Sequence, residues 1–180
     1  MEKIRVAILG AGKIGKFHVK EFSALGAEVV AILGSTRESA SKTAEGLKKE
    51  FNVNVRPYHK LEELIKWERL DAVSICTPPE MHENQIRICL ENNLHVMCEK
   101  PFVETRSRNH RVAEELFNLA EKRKKLLTIN TQWISIVDYF KKYINLSKLK
   151  SFSMYVEPAE KGVNMIKDFL PHTNSVLLGL

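Results

Sequence analysis

Apolar residues along most of this chain fall into short unbroken runs, separated by stretches with helical spacing. Residues 3–9 (KIRVAIL) are the first run, rich in branched side chains, and read as a strand buried on both faces. Residues 13–25 switch to helical spacing, and after Gly26 a second strand is predicted over 29–33. A charged helical pattern follows over 38–51, then a short strand at 53–55 and a short helix at 60–67. The run 71–76 (DAVSIC) predicts a strand that Pro78 and Pro79 stop, because proline cannot donate a ladder hydrogen bond. A helix over 80–92, a strand at 94–98 (LHVMC), a long amphipathic helix over 104–124 and a strand at 126–130 (LLTIN) complete the alternation.

Strands that are apolar on both faces and alternate with helices predict an α/β architecture. Its form is a doubly wound parallel sheet with right-handed crossovers. After about residue 132 the rhythm breaks. A helix over about 134–145, one strand-like run at 149–156 and an apolar helix-like tail remain. The predicted organisation is a doubly wound α/β domain over 1–132 and a short, incomplete α+β segment over 133–180.

Composition narrows the class. Apolar residues make up 44% and charged residues 28%, which fits a globular chain able to bury a core without disulfides or metals. The opening Met1-Glu2-Lys3 does not read as a signal peptide, and no apolar stretch has the length of a membrane span. Cys76, Cys89 and Cys98 show no Cys-x-x-Cys pairing and read as reduced core thiols of a cytoplasmic protein. The net charge of +6 raises the question of nucleic acid. Its clusters at 120–125 and 141–150 carry no zinc, helix-turn-helix or aromatic signature, and the first ends a helix, where positive charge is favourable. They read as solvated faces, with no nucleic-acid, membrane or metal partner expected.

The candidate chemistry begins at Gly10, Gly12 and Gly15, a G-x-G-x-x-G pattern between a predicted strand and a predicted helix. The first glycine permits the tight turn, the second lets the backbone approach a pyrophosphate, and the third lets helix and strand pack closely. The helix start at Lys13 and Ile14 offers N–H groups to the phosphates. An acidic residue usually closes the second strand and holds the ribose 2′-hydroxyl. Here the strand runs into Gly34, Ser35, Thr36 and Arg37, while Glu28 lies at its other end. Two hydroxyls and a guanidinium suit a 2′-phosphate, so NADP is expected in preference to NAD. Ser35 or Thr36 could also cap the next helix.

Two later segments, DAVSICTPPEMH (71–82) and HVMCEKP (95–101), put polar groups just past the ends of strands, where an open sheet binds its ligand. With GAGKIGKFH (10–18) and NNLHVMCEKPFVET (92–105), they give the chain its resemblance to the Gfo/Idh/MocA family over about residues 3–132. The resemblance implies a Rossmann-type fold and an NAD(P)-dependent oxidoreductase of sugars, polyols or related molecules. It also implies a cytoplasmic homo-oligomer and a second domain built on an open antiparallel sheet. Cofactor contacts are expected from Gly10, Gly12, Lys13, Ile14, Gly15, Ser35, Thr36, Arg37, Thr77, Pro78, His82, Glu99, Lys100 and Gln132.

The family's catalytic lysine, from its E-K-P motif, falls on Lys100, and its D-x-x-x-H pair falls on Asp168 and His172. In that pattern His172 takes the hydroxyl proton, Lys100 stabilises the alkoxide and Asp168 orients the ring. Pro171 between them is expected in the first turn of a helix, with Asp168 near the helix start. Asn130 and Trp133 are further candidates for the nicotinamide end, and Ile134 replaces a residue that is commonly basic in the family. Residues 133–180 would supply one strand and about two helices of the second domain. Three readings follow: a fragment of a longer dehydrogenase, a short variant completed by oligomerisation, or a non-catalytic NADP-binding module or sensor.

Overall fold

The computed structural model describes residues 2–104, 109–131, 133–148, 150–151, 153–155 and 163–179, with the backbone alone for 163–169. Two compact units emerge, Met1–Ile129 and Asn130–Leu180.

The first unit is a six-stranded sheet in the order β3-β2-β1-β4-β5-β6. The strands are β1 (Arg5–Leu9), β2 (Glu28–Leu33), β3 (Arg56–Tyr58), β4 (Ala72–Ile75), β5 (His95–Cys98) and β6 (Leu127–Ile129). All neighbouring pairs are parallel. The intervening helices are α1 (Lys13–Ala24), α2 (Arg37–Phe51), α3 (Leu61–Trp67), α4 (His82–Glu91) and α5 (Asn109–Arg123). The predicted doubly wound sheet is therefore the observed one, and the strand order reverses between β1 and β4.

Alternation along β1 explains the layers. Val6 and Ile8 pack with Val19 of α1 and Leu47 of α2, while Ala7 and Leu9 face Leu64 of α3, Ile86 of α4 and Leu116 of α5. Burying one such Leu or Ile contributes about 1.5–3 kcal/mol. The β1–β2 register slips by one residue beyond Val6, so consecutive Val30 and Ala31 both join the cluster containing Ala7. Edge strands β3 and β6 have three residues each, and Pro57 sits within β3.

Several predicted boundaries move. The third strand lies at Arg56–Tyr58 and not at 53–55, because α2 ends on Asn52 in a left-handed conformation (φ 56°) and the chain needs 53–55 to return to the sheet. The helix predicted over 80–92 begins as a 3-10 turn at Pro79–Met81, with proline at a position where its missing N–H costs nothing.

The second unit holds α6 (Ile134–Phe140), a 3-10 turn at Leu146–Lys148 and α7 (Val163–Gly179). In the strand-like run 149–156, residues 150–151 and 153–155 are not in a strand, and the rest of it lies outside the described residues. Pro171 also departs from expectation. It sits inside α7 and not in its first turn, because the helix already begins at Val163. There it removes one i→i−4 hydrogen bond and crowds the carbonyl four residues back.

Candidate cofactor cleft

The turn after β1 is built from close approaches. Gly10 has φ +121°, and a Cβ there would stand 2.6 Å from the Cys76 carbonyl oxygen at the end of β4. A Cβ on Gly15 would overlap the Gly10 carbonyl oxygen. These two glycines let β1, β4 and α1 converge. Gly12 differs: its φ of −81° suits any residue, and a Cβ there would meet nothing within 4 Å. Its missing side chain leaves room for a ligand, not for the protein. Gly12 is the N-cap of α1, and no acidic residue occupies the first turn, so nothing opposes an anion at its N–H groups. Lys13 and Ile14 are exposed in that turn.

Beside the turn lies a cleft of about 1060 Å³, lined by Gly10, Ala11, Gly12, Gly34, Ser35, Ser39, Cys76, Thr77 and Pro78. It occupies the point where the strand order reverses, the place where an open parallel sheet takes its ligand. Ser35 lines it directly, and Thr36 is the N-cap of α2. The Thr36 hydroxyl accepts from the Ser39 N–H at 3.1 Å, and Ser39 Oγ accepts from the Thr36 N–H at 3.1 Å. Arg37, the first residue of α2, is exposed. Glu28 is committed elsewhere, in an ion pair of 2.8 Å with Arg5 at the opposite strand end. The cleft therefore has the space and the backbone donors that a dinucleotide requires.

Sequence reasoning missed part of the lining. His59, Lys60 and Glu62 follow β3, and Met81, Asn84, Gln85 and Ile88 come from the start and inner face of α4. The parallel-sheet rule locates the first group once β3 is placed correctly. The helical spacing of 81, 84, 85 and 88 was the available signal for the second.

Thr77 and Pro78 form the other wall. Thr77 Oγ1 donates to Gln85 Oε1 at 2.6 Å. His82 is fully buried. Its Nε2 lies 2.8 Å from the Thr77 carbonyl, and its Nδ1 lies 3.0 Å from the Pro101 carbonyl and 3.2 Å from that of Phe102. The expected direct contact between His82 and cofactor is corrected here. Its ring is spent on carbonyls of two loops, and it acts on the cleft by holding its walls together.

Past β5, the Glu99 N–H donates to the Ile75 carbonyl at 2.9 Å, and Lys100–Pro101 is a cis peptide. Glu99 Oε1 is 2.9 Å from His18 Nε2, and Glu99 Oε2 accepts from the Lys100 N–H at 3.3 Å. Both residues are partly buried. Lys100 belongs to the first unit and residues 168 and 172 to the second. Both lie on α7, one turn apart, and the His172 ring meets Trp133 edge-on at 6.1 Å. The Asp168 side chain and Gln132 lie outside the described residues.

The three cysteines are free thiols. Burial pushes Cys89 up to about 12. Cys76 is also pushed up to about 12 by burial, opposed by the Ser74 hydrogen bond and helped to a smaller extent by the Glu99 charge. Cys98 is raised by burial as well. At neutral pH these are protonated packing groups, not nucleophiles. Among the described residues no cluster of His, Cys, Asp or Glu could hold a metal, and no helix is long and apolar enough to cross a membrane.

The family model for an oxidoreductase family with an NAD-binding Rossmann fold, Gfo/Idh/MocA, matches residues 4–131. The chain belongs to this family. An inositol 2-dehydrogenase/D-chiro-inositol 3-dehydrogenase of Shouchella clausii is 32% identical over 113 residues, 62% of this chain and 32% of that protein. A UDP-N-acetylglucosamine 3-dehydrogenase of Acidithiobacillus ferrooxidans is 23% identical over 96% of this chain and 52% of its own length. A crystal structure of the latter enzyme superposes with a TM-score of 0.74 at 22% identity, over 99% of this chain and 57% of that one. A 3-ketoreductase from Actinomadura kijaniata in complex with NADP superposes at 0.62 with 25% identity, over 79% of this chain and 45% of that one. The chain spans from about a third (34%) to about half (52%) of the length of the first curated relatives it matches.

Proposed function

We propose that this chain carries the cofactor half of an NADP-linked oxidoreductase acting on a carbinol carbon of a sugar or polyol. The observation that carries the proposal is the cleft at the strand-order reversal. Its floor is opened by Gly12 and its wall includes Ser35, with Thr36 and Arg37 next along the chain at the start of α2. When bound, oxidised NADP would supply the acceptor for a hydride leaving the carbinol carbon. The chain's own residues supply the rest. The α1 N-terminus holds the pyrophosphate, and Arg37 with Ser35 and Thr36 holds the 2′-phosphate. Lys100 donates a hydrogen bond to the substrate oxygen as negative charge develops on it. His172 receives the hydroxyl proton, and Asp168 orients the imidazole.

The sugar or polyol class rests on the relatives, among them the inositol dehydrogenase and the UDP-N-acetylglucosamine dehydrogenase. Self-association through the second unit follows from exposed apolar residues there, including Tyr143 and Leu178. A cytoplasmic site of action fits the buried free thiols.

Two measurements test the proposal. Fluorescence titration should show tighter binding of NADPH than of NADH, and the reverse order refutes the cofactor assignment. Lys100→Ala should bind NADPH as wild type does while losing turnover on a sugar and polyol panel, and undiminished turnover refutes the lysine's role. The second reading is a binding module without catalysis. It predicts NADPH binding with no turnover across that panel.

A further inference from the structure

Residues from three elements meet beneath the cleft. His18, in the second turn of α1, is almost entirely buried, and Ser74 of β4 is wholly buried. His18 Nδ1 lies 2.7 Å from Ser74 Oγ, and His18 Nε2 lies 2.9 Å from Glu99 Oε1. The second Glu99 oxygen accepts the N–H of Lys100 at 3.3 Å.

The chemistry of the three groups gives the line a direction. A carboxylate only accepts, so Nε2 is assigned as the donor to Glu99, and the Ser74 hydroxyl can donate to Nδ1. We propose that His18 is a positioning residue: it binds the phosphate-holding helix α1 to Glu99 and, through Glu99, fixes the backbone from which Lys100 projects. The inference rests on the role of Lys100 given above. It adds a path from the glycine turn to the catalytic lysine.

The geometry favours this over simple core filling. A buried imidazole used only for packing can place its N–H on a nearby backbone carbonyl, as His82 does. His18 instead spends both nitrogens on side chains, from residues 56 and 81 positions away in sequence. One of these side chains reaches the residue expected to do chemistry. Any shift of α1 on engaging a pyrophosphate is thereby transmitted to the Glu99-Lys100 turn.

Amide hydrogen exchange on the full chain, read at Lys100 with and without NADPH, tests the inference independently of turnover. His18→Ala should speed Lys100 exchange by about tenfold, with β5 protection unchanged. It should also abolish any further slowing by NADPH. His18→Gln should restore slow exchange, because an amide offers one donor and one acceptor to the same two partners. Glu99→Gln guards against a variant that does not fold. It keeps an oxygen for His18 but replaces the acceptor of the Lys100 N–H, so its exchange should also quicken by about tenfold. Unchanged Lys100 exchange in folded His18→Ala, or in Glu99→Gln, overturns the proposal. If Lys100→Ala retains turnover, the role of the lysine fails, while the exchange data still decide whether His18 fixes that turn.

Discussion

The turns that follow β1 and β4 lie side by side at the reversal of strand order, and they are built on opposite principles. The first removes side chains: Gly10 and Gly15 admit neighbouring backbone, and Gly12 leaves open space. The second adds rigidity: Pro78 and Pro79 fix the chain, and His82 ties the Thr77 carbonyl to the loop after β5. One turn accommodates a ligand and the other confines it. A dinucleotide cleft needs both, because a phosphate must approach backbone closely on one side while the opposite wall keeps its shape.

Substitutions can break each side separately. Gly15→Ala should have the largest effect, since its Cβ would overlap the Gly10 carbonyl. A loss of at least about 3 kcal/mol is expected, measurable by urea denaturation. Gly12→Val should separate space for ligand from space for protein. Its melting temperature should stay within about 2 °C of wild type, while NADPH affinity falls on the order of a hundredfold, about 2.8 kcal/mol. A comparable loss of stability would mean that Gly12 is a packing residue after all.

On the rigid side, His82→Ala should cost about 2 kcal/mol of stability by leaving buried carbonyls without their donor. NADPH binding should weaken less than in Gly12→Val, as befits a residue that acts through the walls. Arg37→Ala should weaken NADPH about tenfold and leave NADH unchanged; equal weakening of both would remove Arg37 from the 2′-phosphate.

A pH dependence gives a further test. Burial raises the thiols of Cys76 and Cys89 to about 12 from the ordinary value of 9.0, so above pH 9 the unfolded chain sheds protons that the folded chain keeps. Their contribution is complete below pH 9 and is lost as pH rises toward 12, at up to about 1.4 kcal/mol per pH unit for each thiol. Tyr58 adds to the same slope: burial first, and the Glu68 hydrogen bond second, raise it from 10.0. Thermal melts between pH 8 and 10.5 should show the decline, and Cys89→Ala should make it shallower.

Legibility followed locality. The glycine turn could be read because the strand, the three glycines and the helix are contiguous and each position has its own steric requirement. The sheet order was readable in kind, since runs apolar on both faces require helices on both sides. The third strand was misplaced because VNV has the branched character of a strand, whereas the left-handed Asn52 that displaces it is a backbone property. The path from Ser74 through His18 to Glu99 left no sequence signal, since its members lie 56 and 81 positions apart and only the folded sheet brings them together. The sequence places His82 near the site but cannot orient it, because a histidine just past a strand end looks the same whether its ring faces a ligand or three carbonyls.

The sheet's outer margins have a consequence for assembly. β3 and β6 each offer only three residues of free edge, and Pro57 deprives β3 of one N–H. A second molecule seeking to extend the sheet would find little to grip, so growth into continuous intermolecular β-structure is blocked at both ends. Copies of this chain that associate gain little from backbone pairing at these two edges, and the parallel sheet with its cofactor cleft stays a private feature of each molecule.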